Sequence, residues 1–283
     1  MMAPWPPAAQ AGSAGSGFER KVSGKLYLVP NALDVAARGK AVPDLQEGLP
    51  LGVIRVAARL AHWVAENAKA TRAFLKRVGS VVPLAQSLQS ISILELPRTG
   101  AANDGESMHG LLLPARQGHD VGLISEAGLP AVADPGAGLV SAAHAEGIEV
   151  IALPGASSLL LALAASGLEG QNFAFVGYLP VDAAARAARI RELEAHSRQT
   201  GQTQLVIETP YRNPALLAAL LATLAPSTRL AVGCGLTQGQ GWNHSAPVAK
   251  WKSARRVMPA DVPATFCFRA EARQPSHANA SRC

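Results

Sequence analysis

The chain has 283 residues, of which 48% are hydrophobic, 16% charged and 5% aromatic, and it carries a formal net charge of +6. That length suits one large or two ordinary domains, and the composition excludes the sparse, highly charged profile of a disordered chain. No apolar run approaches the ~20 residues that cross a bilayer, because the longest, Ser157 to Ser166, is stopped by Gly167; no membrane association is expected.

Residues 1–21 are low in complexity and lack the charged start and apolar block of a secretory signal, so they read as a tail on a cytoplasmic protein. The cluster Gly12, Gly15 and Gly17 reads as linker, since no strand precedes it and no Lys-Ser or Lys-Thr follows. A buried strand is predicted at Leu26–Val29, then a long helix over Val53–Arg77, interrupted by the charged stretch Glu66-Asn67-Ala68-Lys69-Ala70-Thr71-Arg72. Further short apolar runs follow at Val121–Ile124, Val150–Leu153, Phe173–Val176, Leu205–Ile207, Leu230–Val232 and Phe266–Phe268. Helical patterns lie between them at Gly136–Glu146, Ser158–Ala165 and Ala183–His196. Near-continuous apolar strands alternating with helices indicate βαβ crossovers and an α/β class. A boundary is expected near Gly167 to Asn172, giving an N-terminal α/β domain at 22–168, a C-terminal one at 169–270 and a tail at 271–283.

In such sheets ligands lie beyond the carboxyl ends of strands. After Val121–Ile124 comes Ser125-Glu126-Ala127-Gly128-Leu129-Pro130, then Asp134-Pro135-Gly136, where Asp134 stands at an N-cap position and Pro135 in a first helical turn. After Val150–Leu153 comes Pro154-Gly155-Ala156-Ser157-Ser158, a turn whose serines are placed to cap the next helix. After Leu205–Ile207 come Glu208-Thr209-Pro210-Tyr211-Arg212, which bring a carboxylate, a hydroxyl, a phenol and a guanidinium to one strand end. Cys234, Cys267 and Cys283 form no C-x-x-C pair and the histidines form no i, i+4 pair, so no disulfide framework and no metal are expected. No Gly-x-Ser-x-Gly follows a strand, which disfavours a serine hydrolase.

In order and spacing these segments resemble the tetrapyrrole methylase superfamily of S-adenosylmethionine-dependent methyltransferases. Within it the chain is similar to the branch that 2′-O-methylates a cytidine of small-subunit ribosomal RNA. The resemblance runs from Gly24-Lys25-Leu26-Tyr27-Leu28-Val29-Pro30 to about Phe268 and is strongest over Leu123 to Gly167. It implies a homodimer of two-domain subunits, with a largely parallel N-terminal sheet and a mixed C-terminal sheet, and S-adenosylmethionine as cofactor in the cleft between them. The implied donor-binding positions are Ser125, Glu126, Ala127, Gly128, Leu129 and Pro130; Asp134 and Gly136; Pro154, Gly155, Ser157 and Ser158; and, from the second domain, Glu208, Thr209, Pro210, Leu236 and Thr237.

Glu66 matches the acidic position of the branch's Ala-Glu-Asp-Thr-Arg motif and is the candidate general base, with Lys69, Arg72, Tyr211 and Arg212 as candidate substrate contacts. The chain departs from the branch where Asp-Thr-Arg reads Asn67-Ala68-Lys69, and where Ala-Arg-Glu-Leu-Thr-Lys reads Gly233-Cys234-Gly235-Leu236-Thr237-Gln238. A structured RNA is the expected acceptor, supported by the net charge and by Arg186, Arg189, Arg191 and the Lys250 to Arg256 segment. A small-molecule acceptor, or donor binding without turnover, are the alternatives.

Overall fold

The computed structural model describes residues 23–34, 43–97, 105–251, 253 and 256–271. The expected tails lie outside these residues, apart from position 271. The first half of the chain runs β1 (Leu26–Leu28), α1 (Leu45–Gly48), α2 (Leu51–Arg59), β2 (His62–Ala65), α3 (Ala68–Val81), β3 (Ser92–Glu95), α4 (Gly105–Leu111), α5 (Leu113–Arg116), β4 (Val121–Ile124), α6 (Ala137–Ala145), β5 (Val150–Ala152) and α7 (Ser158–Ser166). Its five strands form a parallel sheet in the order β3-β2-β4-β1-β5. Parallel strands need crossover helices, which cover both faces. Alternate side chains accordingly enter two cores. Trp63 and Ile124 pack with Ile54, Phe74 and Leu75 of α2 and α3, whereas Val64 and Leu123 pack with Met108, Leu112 and Leu139 on the opposite face.

The predicted helix over Val53–Arg77 is instead helix, strand, helix. The backbone turns extended at Leu60, and the four residues of β2 insert beside β4. Asn67 then restarts the helix as an N-cap, its Oδ1 accepting the Ala70 N–H at 3.0 Å. A four-residue buried strand set within apolar helices leaves no break in periodicity to betray it.

The second half runs β6 (Phe173–Tyr178), α8 (Ala183–Thr200), β7 (Thr203–Ile207), a 3₁₀ turn at Pro210–Arg212, α9 (Asn213–Thr223), β8 (Arg229–Cys234), β9 (Trp242–Pro247), α10 (Val248–Trp251) and β10 (Ala264–Arg269). The sheet order is β6-β7-β10-β8-β9, with β6 and β7 parallel and the other pairs antiparallel. The expected fold class is therefore observed, with one parallel and one mixed sheet. On one face Ile190, Leu193, Leu216 and Leu220 of α8 and α9 pack against Val206, Phe266 and Phe268. On the other lie Leu159, Ala162 and Leu163 of α7, against Leu205, Ala231 and Cys267. So α7, which the sequence reading grouped with the first unit, follows β5 but packs on the second sheet. Burial pushes the Cys267 thiol up to about 12 and also raises Cys234, consistent with packing roles. Among the described residues no helix is long and apolar enough to cross a membrane.

Candidate active site

The loops leaving the carboxyl ends of β1, β4 and β5 are fastened to one another. Asn31, just past β1, donates its side-chain N–H to the carbonyls of Ser125 at 3.3 Å and Glu126 at 2.9 Å. Its backbone exchanges two further hydrogen bonds with Gly128. Gly128 has φ +70, which suits glycine. Gly155 brings the β5 loop against the β1 loop so closely that a Cβ there would lie 2.2 Å from the Pro30 Cβ. Its part is close packing, and it does not line the cavity described next.

Between the two sheets lies a cavity of about 180 Å³. From the first sheet it takes Leu33, Ala127, Gly128, Leu129 and the Val132–Asp134 segment. Ser157, Ser158 and Leu159 form its floor at the start of α7, and Ile207, Glu208, Gly233, Gly235, Leu236, Gln238 and Pro263 to Thr265 close it from the second sheet. Ala131 and Ala133 adopt left-handed φ values of 65°. Such conformations are costly for non-glycine residues and concentrate at functional sites. Ser157 occupies the N-cap position of α7 but makes no side-chain capping bond, contrary to the expected use of these serines.

Asp134 does not cap α6. The N-cap lies two residues later than the sequence suggests, at Gly136 with φ +131 and no side-chain cap, and Asp134 instead lines the cavity. Burial pushes it up to about 6, helped by the negative charges of Glu66 and Glu126 and opposed by the nearby Ser125 hydroxyl. Glu66 sits at the carboxyl end of β2, where its Oε2 accepts the Glu126 N–H at 3.0 Å. Across the opening, Tyr178 ends β6. Burial raises its phenol above the usual range, followed by the charges of Asp134, Glu208 and Glu66, with Arg212 acting the other way. Glu208 is engaged: it accepts the N–H and hydroxyl of Thr209 at 3.1 and 3.0 Å and pairs with the Arg212 guanidinium.

The family model of the Tetrapyrrole (Corrin/Porphyrin) Methylases matches residues 45–240. The chain belongs to that family. Among relatives, the Ribosomal RNA small subunit methyltransferase I of Mesorhizobium japonicum is 39% identical over 136 residues, covering 48% of this chain and 45% of that protein. The protein of the same name from Streptococcus pyogenes serotype M6 is 33% identical over 208 residues, covering 72% and 62%. The matched stretch thus spans about half the length of the curated relatives. A solved structure, of a conserved hypothetical protein from Aeropyrum pernix K1, shares the fold with a TM-score of 0.54 at 16% identity, covering 88% of this chain and 86% of that one.

Of the donor positions implied by the family resemblance, Ala127, Gly128, Leu129, Asp134, Ser157, Ser158, Glu208 and Leu236 line the inter-sheet cavity. Ser125, Glu126, Pro130, Gly136, Pro154, Thr209 and Pro210 are not among its lining residues. The Ser125 hydroxyl shapes its own loop by donating to the Ala127 carbonyl at 3.1 Å. Thr237 is an exposed left-handed turn residue with φ +67. Its neighbour Gln238 faces the cavity instead, reaching the Leu33 carbonyl at 3.5 Å. Pro263 to Thr265 were missed because they begin a strand. β10 is antiparallel, so its start lies at the same edge as the ends of β7 and β8, with Thr265 opposite Ile207 and Ala264 opposite Cys234.

Lys69 and Arg72 are exposed on α3, whose first turn adjoins Glu66. Tyr211 is exposed, with the Arg212 guanidinium 5.7 Å from its ring centre. Among the described residues no group of three or more His, Cys, Asp or Glu is placed to hold a metal ion.

Proposed function

We propose that the chain is a methyltransferase that holds S-adenosylmethionine in the inter-sheet cavity and methylates small-subunit ribosomal RNA, at a ribose 2′-hydroxyl. The observation that carries this reading is the cavity itself, which is built where the strand ends of both sheets meet, with Ala127, Gly128, Gly233 and Gly235 among its lining residues. The chemistry of the walls fits the donor. Leu33, Leu129, Ile207 and Leu236 offer apolar surface for a nucleobase, Ser157, Ser158 and Thr265 offer hydroxyls, and the Asp134 carboxylate offers a counter-charge to a sulfonium. When bound, the donor supplies a methyl group on an excellent leaving group, so the protein's chief task is alignment of the acceptor.

The RNA acceptor is supported by the names of the relatives, by the net charge of +6 and by the basic face of α3. A cytoplasmic homodimer completes the reading on the strength of the family resemblance. The test is calorimetric titration of the 283-residue protein with S-adenosylmethionine and S-adenosylhomocysteine, repeated with Ser158→Trp. Binding by the native protein that falls at least about tenfold in the folded variant is the expected result. A folded native protein that binds neither compound contradicts the reading.

A further inference from the structure

Asp134 belongs to the walls of two cavities. One is the inter-sheet cavity just assigned to the donor. The other lies on the far side of the Ala133–Leu139 segment, bounded by Leu96, Pro97 and Met108 from the first sheet's side and by Tyr178 from the second. Among the described residues Asp134 and Glu208 are the carboxylates lining the donor cavity, and Glu208 is already bound to Arg212 and Thr209. Neither cavity is lined by Glu66 or Glu126. Glu66 is tied to a backbone N–H, and Glu126 lines a shallow groove with Lys69 and Asn67. A group in the partition between two chambers is placed to act on an atom that accepts something from one while standing in the other.

We propose that Asp134 takes the proton from the methyl-accepting hydroxyl, which enters through the chamber beneath Tyr178. The proposal rests on the methyl-transfer reading above. As the new O–C bond forms, the hydroxyl proton passes to an Asp134 carboxylate oxygen. The S–C bond breaks with its electron pair remaining on sulfur, and the proton then leaves to water. An aliphatic hydroxyl needs such a base, and general bases contribute about 10²- to 10⁴-fold when their affinity for protons lies near the working pH. Three features press Asp134 in that direction: its burial, the Glu66 charge from the end of β2 and the Glu126 charge from its own loop. The Ser125 hydroxyl opposes them, and the polar groups facing it from the second sheet are Tyr178 and Glu208, the latter neutralised by Arg212. Glu66 acts through Asp134, as a positioning charge.

The test uses the full chain, labelled S-adenosylmethionine and two acceptor probes, namely in-vitro transcribed small-subunit ribosomal RNA and assembled small subunits lacking methylation. At donor concentrations that saturate each protein, single-turnover transfer by Asp134→Asn is expected to fall by roughly 10²- to 10⁴-fold relative to native. The native rate rises with pH around a midpoint of about 6, and Glu66→Gln lowers that midpoint. A readout independent of turnover is difference infrared titration of the protein alone, in which a protonated carboxyl band lost near the same pH is absent from Asp134→Asn. Transfer by Asp134→Asn within tenfold of native, with an unchanged pH profile, overturns the proposal, as does an Asp134 carboxyl that titrates in the ordinary carboxylate range. Donor binding with no labelling of either RNA overturns it while leaving the donor site standing. Absence of donor binding sinks both.

Discussion

Burying Asp134 among like charges makes the folded chain hold a proton there more tightly than the unfolded chain does, at about 6 against an ordinary 3.8. A group with a raised folded-state value lowers stability as it ionises, so stability falls as pH rises from about 4 to about 6 and the loss is complete above that window. Asp134→Asn removes the ionisation. Scanning calorimetry should find its Tm about 3 °C above native at pH 8 and nearly equal at pH 4; equal shifts at both values would contradict the electrostatic cause. Gly155 tests packing rather than charge. A methyl group placed 2.2 Å from the Pro30 Cβ and 2.5 Å from its Cγ has no room, so Gly155→Ala should lower stability by about 1–3 kcal/mol in urea titration. A variant meant only to fill the donor cavity is therefore better placed at Ser158.

At the scale of elements, α3 joins the site to the surface. Its N-cap, Asn67, stands where the ribosomal RNA branch carries aspartate, and either residue caps a helix well. Asn67→Ala should cost about 1 kcal/mol, while Asn67→Asp should leave stability nearly unchanged. Lys69, Arg72 and Lys76 follow at i, i+3 and i+7 and are all exposed on one face. Replacing each with Gln should weaken RNA binding alike for all sequences and reduce the slope of log K against log salt by about 1 per residue. Binding measured across a potassium chloride series checks it, and an unchanged slope removes α3 from the interface.

The same elements show how far sequence reasoning reaches. β1 and β4 were legible because central parallel strands covered on both faces are apolar throughout, as at Val121, Leu123 and Ile124, and β5 because it carries an apolar run even at the sheet edge. β2 was not, since His62–Ala65 prolongs the apolar pattern of α2. Exposed Ser92, Leu94 and Glu95 gave edge strand β3 no apolar run to find, and the polar residues of Trp242–Pro247 did the same for β9. The loop motifs after β4 and β5 were found, but the part played by Asp134 was not. Pro135 made it look like a cap, and only the start of α6 at Ala137 shows that its carboxyl is left over. Asn31 and Gln238 act through carbonyls far away in the chain, which no local pattern encodes.

For the whole molecule, a ligand whose walls come from both sheets couples them. Donor at a hundredfold excess over its Kd should stabilise the chain by about 2.7 kcal/mol. Hydrogen exchange should slow together at 127–129 in the first half and 233–236 in the second. Protection confined to one half would show that the cavity does not span the sheets in solution. The path of the chain adds a mechanical consequence. α7 is held by its packing to the second sheet, while the strand before it is hydrogen-bonded into the first. Gly155 packs closely against Pro30, so Ala156 and Ser157 carry the chain from the loops of the first sheet to the helix on the second. Ser157 is also floor. A change in the angle between the sheets would therefore reshape the floor together with the walls, so that opening the cavity and freeing its occupant would be a single event.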